Sequence, residues 1–162
     1  MGIREFNLWS IWLWPRLPPF GDKIDKSKLE LIDAPDPNEL MQIVDAQQST
    51  QLFPAIYGRA ARDRPSMYAR SNAWWNHRVL SNLTEQTYGV TKQRRYVYEP
   101  GGEPQRYVIY YRASDSEDIE LRVKKLMEMG KETEHVIWQF LAVVYLVCTV
   151  HWFNLPVDSP LL

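Results

Sequence analysis

The chain has 162 residues and a mass of 19.1 kDa, which sets one domain as the upper expectation. A net charge of −1 and a pI near 6.3 remove the global basic field that nucleic-acid binding needs, so no nucleic-acid partner is expected. The single cysteine, Cys148, excludes an internal disulfide and a cysteine metal centre, and His77, His135 and His151 lie too far apart for a histidine metal motif.

Residues 1–20 open with an apolar cluster in which Trp9, Trp12 and Trp14 crowd around Leu8, Ile11 and Leu13, before Pro15, Pro18 and Pro19 stop any helix. The run is too short to span a bilayer and lacks the basic start and cleavage site of a secretory signal. Three tryptophans so near a terminus point to docking on a partner protein or to the membrane interface. Residues 21–36 read as a charged connector. Pro37, at a first helical position with Glu39 in the first turn, then predicts a short amphipathic helix over 37–48.

The stretch 49–93 shows no clear period. Arg59, Arg62, Arg64 and Arg70 alternate with Tyr57, Tyr68, Trp74 and Trp75. At a net charge near zero this pattern reads as arginine stacked on aromatics at a protein interface, which makes Trp74 and Trp75 candidate partner-binding residues. Asn82-Leu83-Thr84 matches a glycosylation sequon, read here as chance occurrence. Residues 94–112 give the clearest local pattern. Two β-rich runs flank Pro100-Gly101-Gly102-Glu103-Pro104, which predicts a small β-hairpin that needs an outside surface to be stable.

From Ser114 the expected structure is one long C-terminal helix over 114–153. Ser114-Asp115-Ser116-Glu117 matches a capping box, and Ile119, Val123, Leu126 and Gly130 follow a helical stripe. Its second part, Val136 to Phe153, holds 18 residues without Asp, Glu, Lys or Arg, and reads as a single transmembrane span. Ten Val, Ile, Leu or Phe side chains there supply roughly −3 to −6 kcal/mol of apparent insertion free energy. Trp138, Tyr145 and Trp152, spaced by seven, form a further candidate partner face. Lys124, Lys125 and Lys131 precede the span and are placed to meet phospholipid headgroups such as cardiolipin. By the positive-inside rule the N-terminal region stays on the matrix or cytoplasmic side, and residues 154–162 form a short tail across the membrane.

The fold class expected is therefore mostly irregular and α, with one long C-terminal helix and a small β-hairpin, and no large independent core. The domain reading is 1–20 as a docking segment, 21–113 as an irregular extramembrane region, 114–153 as the helix and 154–162 as the tail. In general form the chain resembles the single-pass supernumerary subunits of mitochondrial respiratory complexes and ATP synthase. That resemblance implies a non-catalytic structural or assembly subunit of the inner membrane, N-terminus in the matrix and C-terminus in the intermembrane space, partnered by other subunits and phospholipid. A tail-anchored adaptor recruiting a soluble protein is the alternative. No nucleophile–base pair, metal cluster or phosphate loop is apparent, so no catalytic, cofactor or metal residues are assigned.

Overall fold

A computed structural model describes residues 22–26, 36–62, 67–82, 89–115, 118–127, 131–144 and 147–152. Its centre is one mixed sheet of six strands: β1 (Asp22–Asp25), β2 (Met41–Ile43), β3 (Arg94–Tyr98), β4 (Arg106–Asp115), β5 (Asp118–Met127) and β6 (Thr149–Trp152), in the order β1-β6-β5-β4-β3-β2. All neighbours pair antiparallel except β5 and β6, which run parallel. Their connection is helix α4 (Lys131–Val143), the crossover that a parallel pair requires. The described residues also include α1 (Pro37–Leu40), α2 (Ala46–Arg62) and α3 (Asn72–Trp74), which runs on as a π-helical turn at Trp75–Val79.

Helices cover both faces of the sheet. On one face Val108, Tyr110, Leu121, Val123, Leu126, Val150 and Trp152 pack on Ile137, Trp138, Phe140 and Leu141 of α4. On the other, Val97, Tyr107, Ile109 and Met127 pack on Phe53, Ile56, Tyr57 and Ala60 of α2 and on Trp75 and Val79. This explains β4, where Tyr107 through Tyr111 are all buried: a central strand with both faces covered has no polar side. Burying each large side chain such as Leu141 or Ile109 fully contributes about 1.5–3 kcal/mol, so the chain does build its own core.

The helix predicted over 37–48 is corrected. The predicted helix is broken: Pro37–Leu40 is helical, Met41–Ile43 pairs with β3 as an edge strand, and a second helix starts at Ala46. Its start is a reciprocal cap: the Asp45 backbone N–H donates to Gln48 Oε1 at 2.9 Å, and the Gln48 N–H donates to Asp45 Oδ1 at 2.7 Å. Ser49, Phe53, Ile56, Tyr57 and Ala60 then form its buried stripe at helical spacing. β3 and β4 pair antiparallel around Pro100-Gly101-Gly102, as the middle of a sheet rather than as a lone hairpin.

The long C-terminal helix is also overturned, because Asp118–Met127 is a strand. Ile119, Leu121 and Val123 alternate toward α4 with period two. Ile109 then pairs with Lys125 and Tyr110 with Val123, so Lys124 is an extra, bulged residue. The bulge shifts the next inward residue to Leu126. A spacing of three between Val123 and Leu126, which reads as helical in sequence, comes from that inserted residue.

Nor does the uncharged stretch cross a membrane. It divides into the end of α4 and strand β6, and among the described residues no helix is long and apolar enough for a span. At about 1.5 Å per residue the 13 residues of α4 reach roughly 20 Å, against a hydrocarbon thickness of about 30 Å. The stretch lacks charge because α4 presses on the sheet and β6 lies between β1 and β5, so both elements are interior.

Candidate functional site

β5 organises the polar chemistry. The described ladder between the parallel strands runs from Glu120↔Thr149 to Val123↔Trp152 and stops there, one residue before the bulge at Lys124. β5 continues to Met127, and α4 begins at Lys131 beyond its carboxyl end. Among the described residues, the side of Lys124–Met127 that would face β6 has no partner strand. The described pairing of two adjacent parallel strands thus ends at their carboxyl side, close in sequence to a helix N-terminus. Open α/β sheets bind ligands at such ends, and the helix N-terminus favours anionic groups.

On the face away from α4, the side chains of β5 alternate as Glu120, Arg122 and then the lysines of the bulge. Arg122 donates to Glu120 Oε2 through Nε at 3.3 Å and through Nη2 at 3.2 Å. His151 lies beside Arg122 in the β5–β6 register, and Tyr111 sits opposite it on β4. Glu120, His151 and Tyr111 are all buried. Burial pushes the Tyr111 hydroxyl pKa up, while the charge and hydrogen bond of Arg122 pull it back. A carboxylate, an imidazole and a phenol around one guanidinium can take and give protons at this end of the sheet.

Further along the same face, cations brace the end of the π-helical turn. Arg95 Nη2 donates to Leu80 O at 3.1 Å and to Asn82 Oδ1 at 2.8 Å, while Lys124 Nζ and Gln93 Nε2 both donate to Ser81 O, at 2.8 and 2.9 Å. Cations at a helix carboxyl end meet its orphan carbonyls. Burial, joined by the nearby Arg95 charge, pushes the Lys124 pKa down to about 8. Lys125 is also pushed down to about 8, by burial and then by Arg70.

The residues singled out from sequence are placed as follows. Trp75, Trp138 and Trp152 are buried in the chain's own core, Trp138 against Trp152 at 5.8 Å between ring centres. Trp74 is half-buried and stands edge-on to Trp75 at 5.7 Å. Lys124 and Lys125 lie in β5, not on a helix above a membrane, and Lys124 is held by a backbone carbonyl. Lys131 opens α4. Trp9, Trp12, Trp14 and Tyr145 lie outside the described residues. The structure brings Lys124 and Lys125 together with Trp74 and Trp75 on one face of the sheet, and Trp138 with Trp152 on the other. Glu120, Arg122, His151 and Tyr111 were missed. Their signal was the alternation Asp118-Ile119-Glu120-Leu121-Arg122-Val123-Lys124, a strand pattern with a polar side.

Comparison with known proteins identifies the fold. Residues 66–162, more than half of the chain, match the acetyltransferase (GNAT) domain family. The chain is similar in structure to Eis1 from Mycobacterium abscessus, with a TM-score of 0.64 and 20% identity over 86% of this chain and 34% of that one. It is equally similar to a GCN5-related N-acetyltransferase from Anabaena variabilis, with a TM-score of 0.64 and 18% identity over 86% of this chain and 33% of that one. The chain therefore spans about a third of the length of the solved structures it matches. No curated protein matches it significantly.

These findings overturn the reading as a non-catalytic accessory subunit of a mitochondrial respiratory complex or ATP synthase. With it go the alternative of a tail-anchored adaptor, the partnership with membrane-complex subunits and cardiolipin, and the inner-membrane location. All of them rested on a membrane span, which the structure replaces by a core helix and a sheet strand. The chain belongs to the GNAT acetyltransferase family.

Proposed function

We propose that this domain transfers an acetyl group from a coenzyme A thioester to an amine. The observation that carries the reading is the end of the described β5–β6 pairing next to the Lys124 bulge and ahead of α4, where this reading places a donor crevice. The free side of Lys124–Met127 offers backbone donors and acceptors to an extended, amide-bearing thioester arm, as a sheet edge does to an added strand. Anionic groups of the donor suit the α4 N-terminus, where Gly130 and Lys131 stand in the sequence.

Transfer requires a neutral amine. Its nitrogen forms the bond to the carbonyl carbon, the carbon–sulfur bond breaks, and the thiolate leaves to take a proton. In this reading Glu120, ion-paired with Arg122, accepts the proton that the acceptor's ammonium must lose, with His151 beside it. The bulge takes the Lys124 backbone out of the regular ladder and leaves a group able to bond the developing oxyanion.

Thiol release from acetyl-coenzyme A, followed against a panel of primary amines, tests the reading. Glu120→Gln is expected to lower kcat by about 10²–10⁴-fold with little change in KM for the donor. A wild-type chain that neither releases thiol above the uncatalysed rate nor is thermally stabilised by acetyl-coenzyme A would sink it.

A further inference from the structure

The face of the sheet under α2 carries a feature that donor binding at the β5–β6 crevice does not use. The Arg70 guanidinium lies 4.0 Å above the Tyr57 ring and 4.1 Å above the Trp74 ring, with Trp75 at 5.7 Å. Three aromatic rings fix its plane and remove much of its hydration. Its Nη1 is buried and, among the described residues, has no hydrogen-bond partner. The Tyr107 hydroxyl is in the same condition: buried, without a partner, and within the field of Arg70.

Lys125 completes the group from β5. It pairs with Ile109 in the ladder, on the same face as Tyr107 and next to it along the sheet. Burial and then Arg70 lower the Lys125 pKa. Burial also lowers that of Arg70, while the hydroxyls of Tyr57, which also hydrogen-bonds it, and Tyr107 oppose this; among the described residues no carboxylate takes part. Lys124 and Arg95, two further cations on this face, bond the carbonyls of Ser81 and Leu80 respectively. Two half-buried cations with no counter-charge among the described residues repel each other, and an anion placed between them would turn that cost into attraction.

We propose that Arg70 and Lys125, with the Tyr107 hydroxyl behind them, form a site for an oxyanion of the carboxylate or phosphate class. The aromatic rings orient the guanidinium, and Lys125 supplies a mobile point charge. The site lies on the α2 face and does not depend on the donor crevice, so it stands or falls separately from acetyl transfer.

Thermal unfolding of the whole chain at fixed ionic strength, titrated with inorganic phosphate and in parallel with acetate, measures occupancy, and the more effective probe names the class. Wild type is expected to show saturable stabilisation by at least one of them, with the Lys125 ammonium, followed by NMR, titrating about one unit higher once the site is filled. Lys125→Met should weaken that affinity about tenfold while leaving the anion-free protein as stable as wild type or more so. Arg70→Lys keeps the charge but loses the planar stack, and should weaken affinity less than Lys125→Met does. Equal stabilisation of wild type and Lys125→Met, or no response to either anion, would overturn the proposal.

Discussion

The two faces of the sheet are covered in different ways. Against α4 the contact is apolar throughout, from Val108, Leu121 and Val150 to Ile137 and Leu141. Against α2 and the π-helical turn a comparable apolar centre, with Phe53 stacked on Tyr107 at 4.3 Å, is bordered by Arg70, Arg95, Lys124 and Lys125. The first arrangement offers only burial, which any well-packed hydrophobic set could supply. The second keeps desolvated cations in position, which costs free energy unless they bond carbonyls or a ligand. The comparison teaches that scaffold and chemistry are divided between the faces, with β5 contributing to both through alternate residues.

Leu141→Ala attacks the dry face and is expected to cost about 3 kcal/mol, read as a lower midpoint in chemical denaturation, because Leu141 is fully buried. Arg95→Met attacks the basic face. It removes the bonds to Leu80 O and Asn82 Oδ1 and leaves a buried carbonyl unpaired, for an expected loss of about 2 kcal/mol. If Arg95→Met proved neutral, the cations would be ornament and the contrast between the faces would fail.

A smaller effect lies in pH. Lys124 and Lys125 have folded pKa values lowered to about 8, so between there and the ordinary lysine range the unfolded chain binds more protons than the folded one. Stability should therefore rise with pH from about 8 toward 10, by about 1 kcal/mol after solvent screening of these half-buried groups. Above that window it should fall, because burial raises the hydroxyl pKa values of Tyr107 and Tyr110 and the folded chain then holds the extra protons. Denaturant midpoints measured across that range give the sign, and Lys125→Met should flatten the rise.

The smallest change sharpens the contrast between an interior helix and a membrane span. Val143 is 50% exposed and its neighbour Val144 is 9% exposed. Val143→Lys is expected to shift stability by less than about 0.5 kcal/mol, whereas a lysine inside lipid would cost several times more. A loss of several kcal/mol for Val143→Lys in chemical denaturation would contradict the exposed position of Val143.

Part of this organisation was legible before any coordinates. The strands around Pro100–Pro104 announce themselves because turn residues and β-branched or aromatic runs act locally. Helix α2 was not legible: its start at Asp45 and Gln48 and its stripe from Ser49 to Ala60 were obscured by Pro54 and by the arginines on its outer face, so 49–93 showed no clear period. The polar row of β5 was hidden by the bulge, which converts a period of two into a step of three at Val123 and Leu126.

Sequence alone determined that the stretch from Val136 to Phe153 must be largely removed from water, because 18 uncharged residues have no solvated side to offer. It did not determine what does the removing. Lipid on all sides and protein on all sides make the same demand on side-chain polarity, and only the three-dimensional arrangement distinguishes them. Pairing β6 between β1 and β5 and laying α4 over Leu121 and Val150 decided the matter. The same pairing set Glu120, Arg122 and His151 side by side, a neighbourhood that residues about thirty positions apart acquire only when a parallel ladder closes between them.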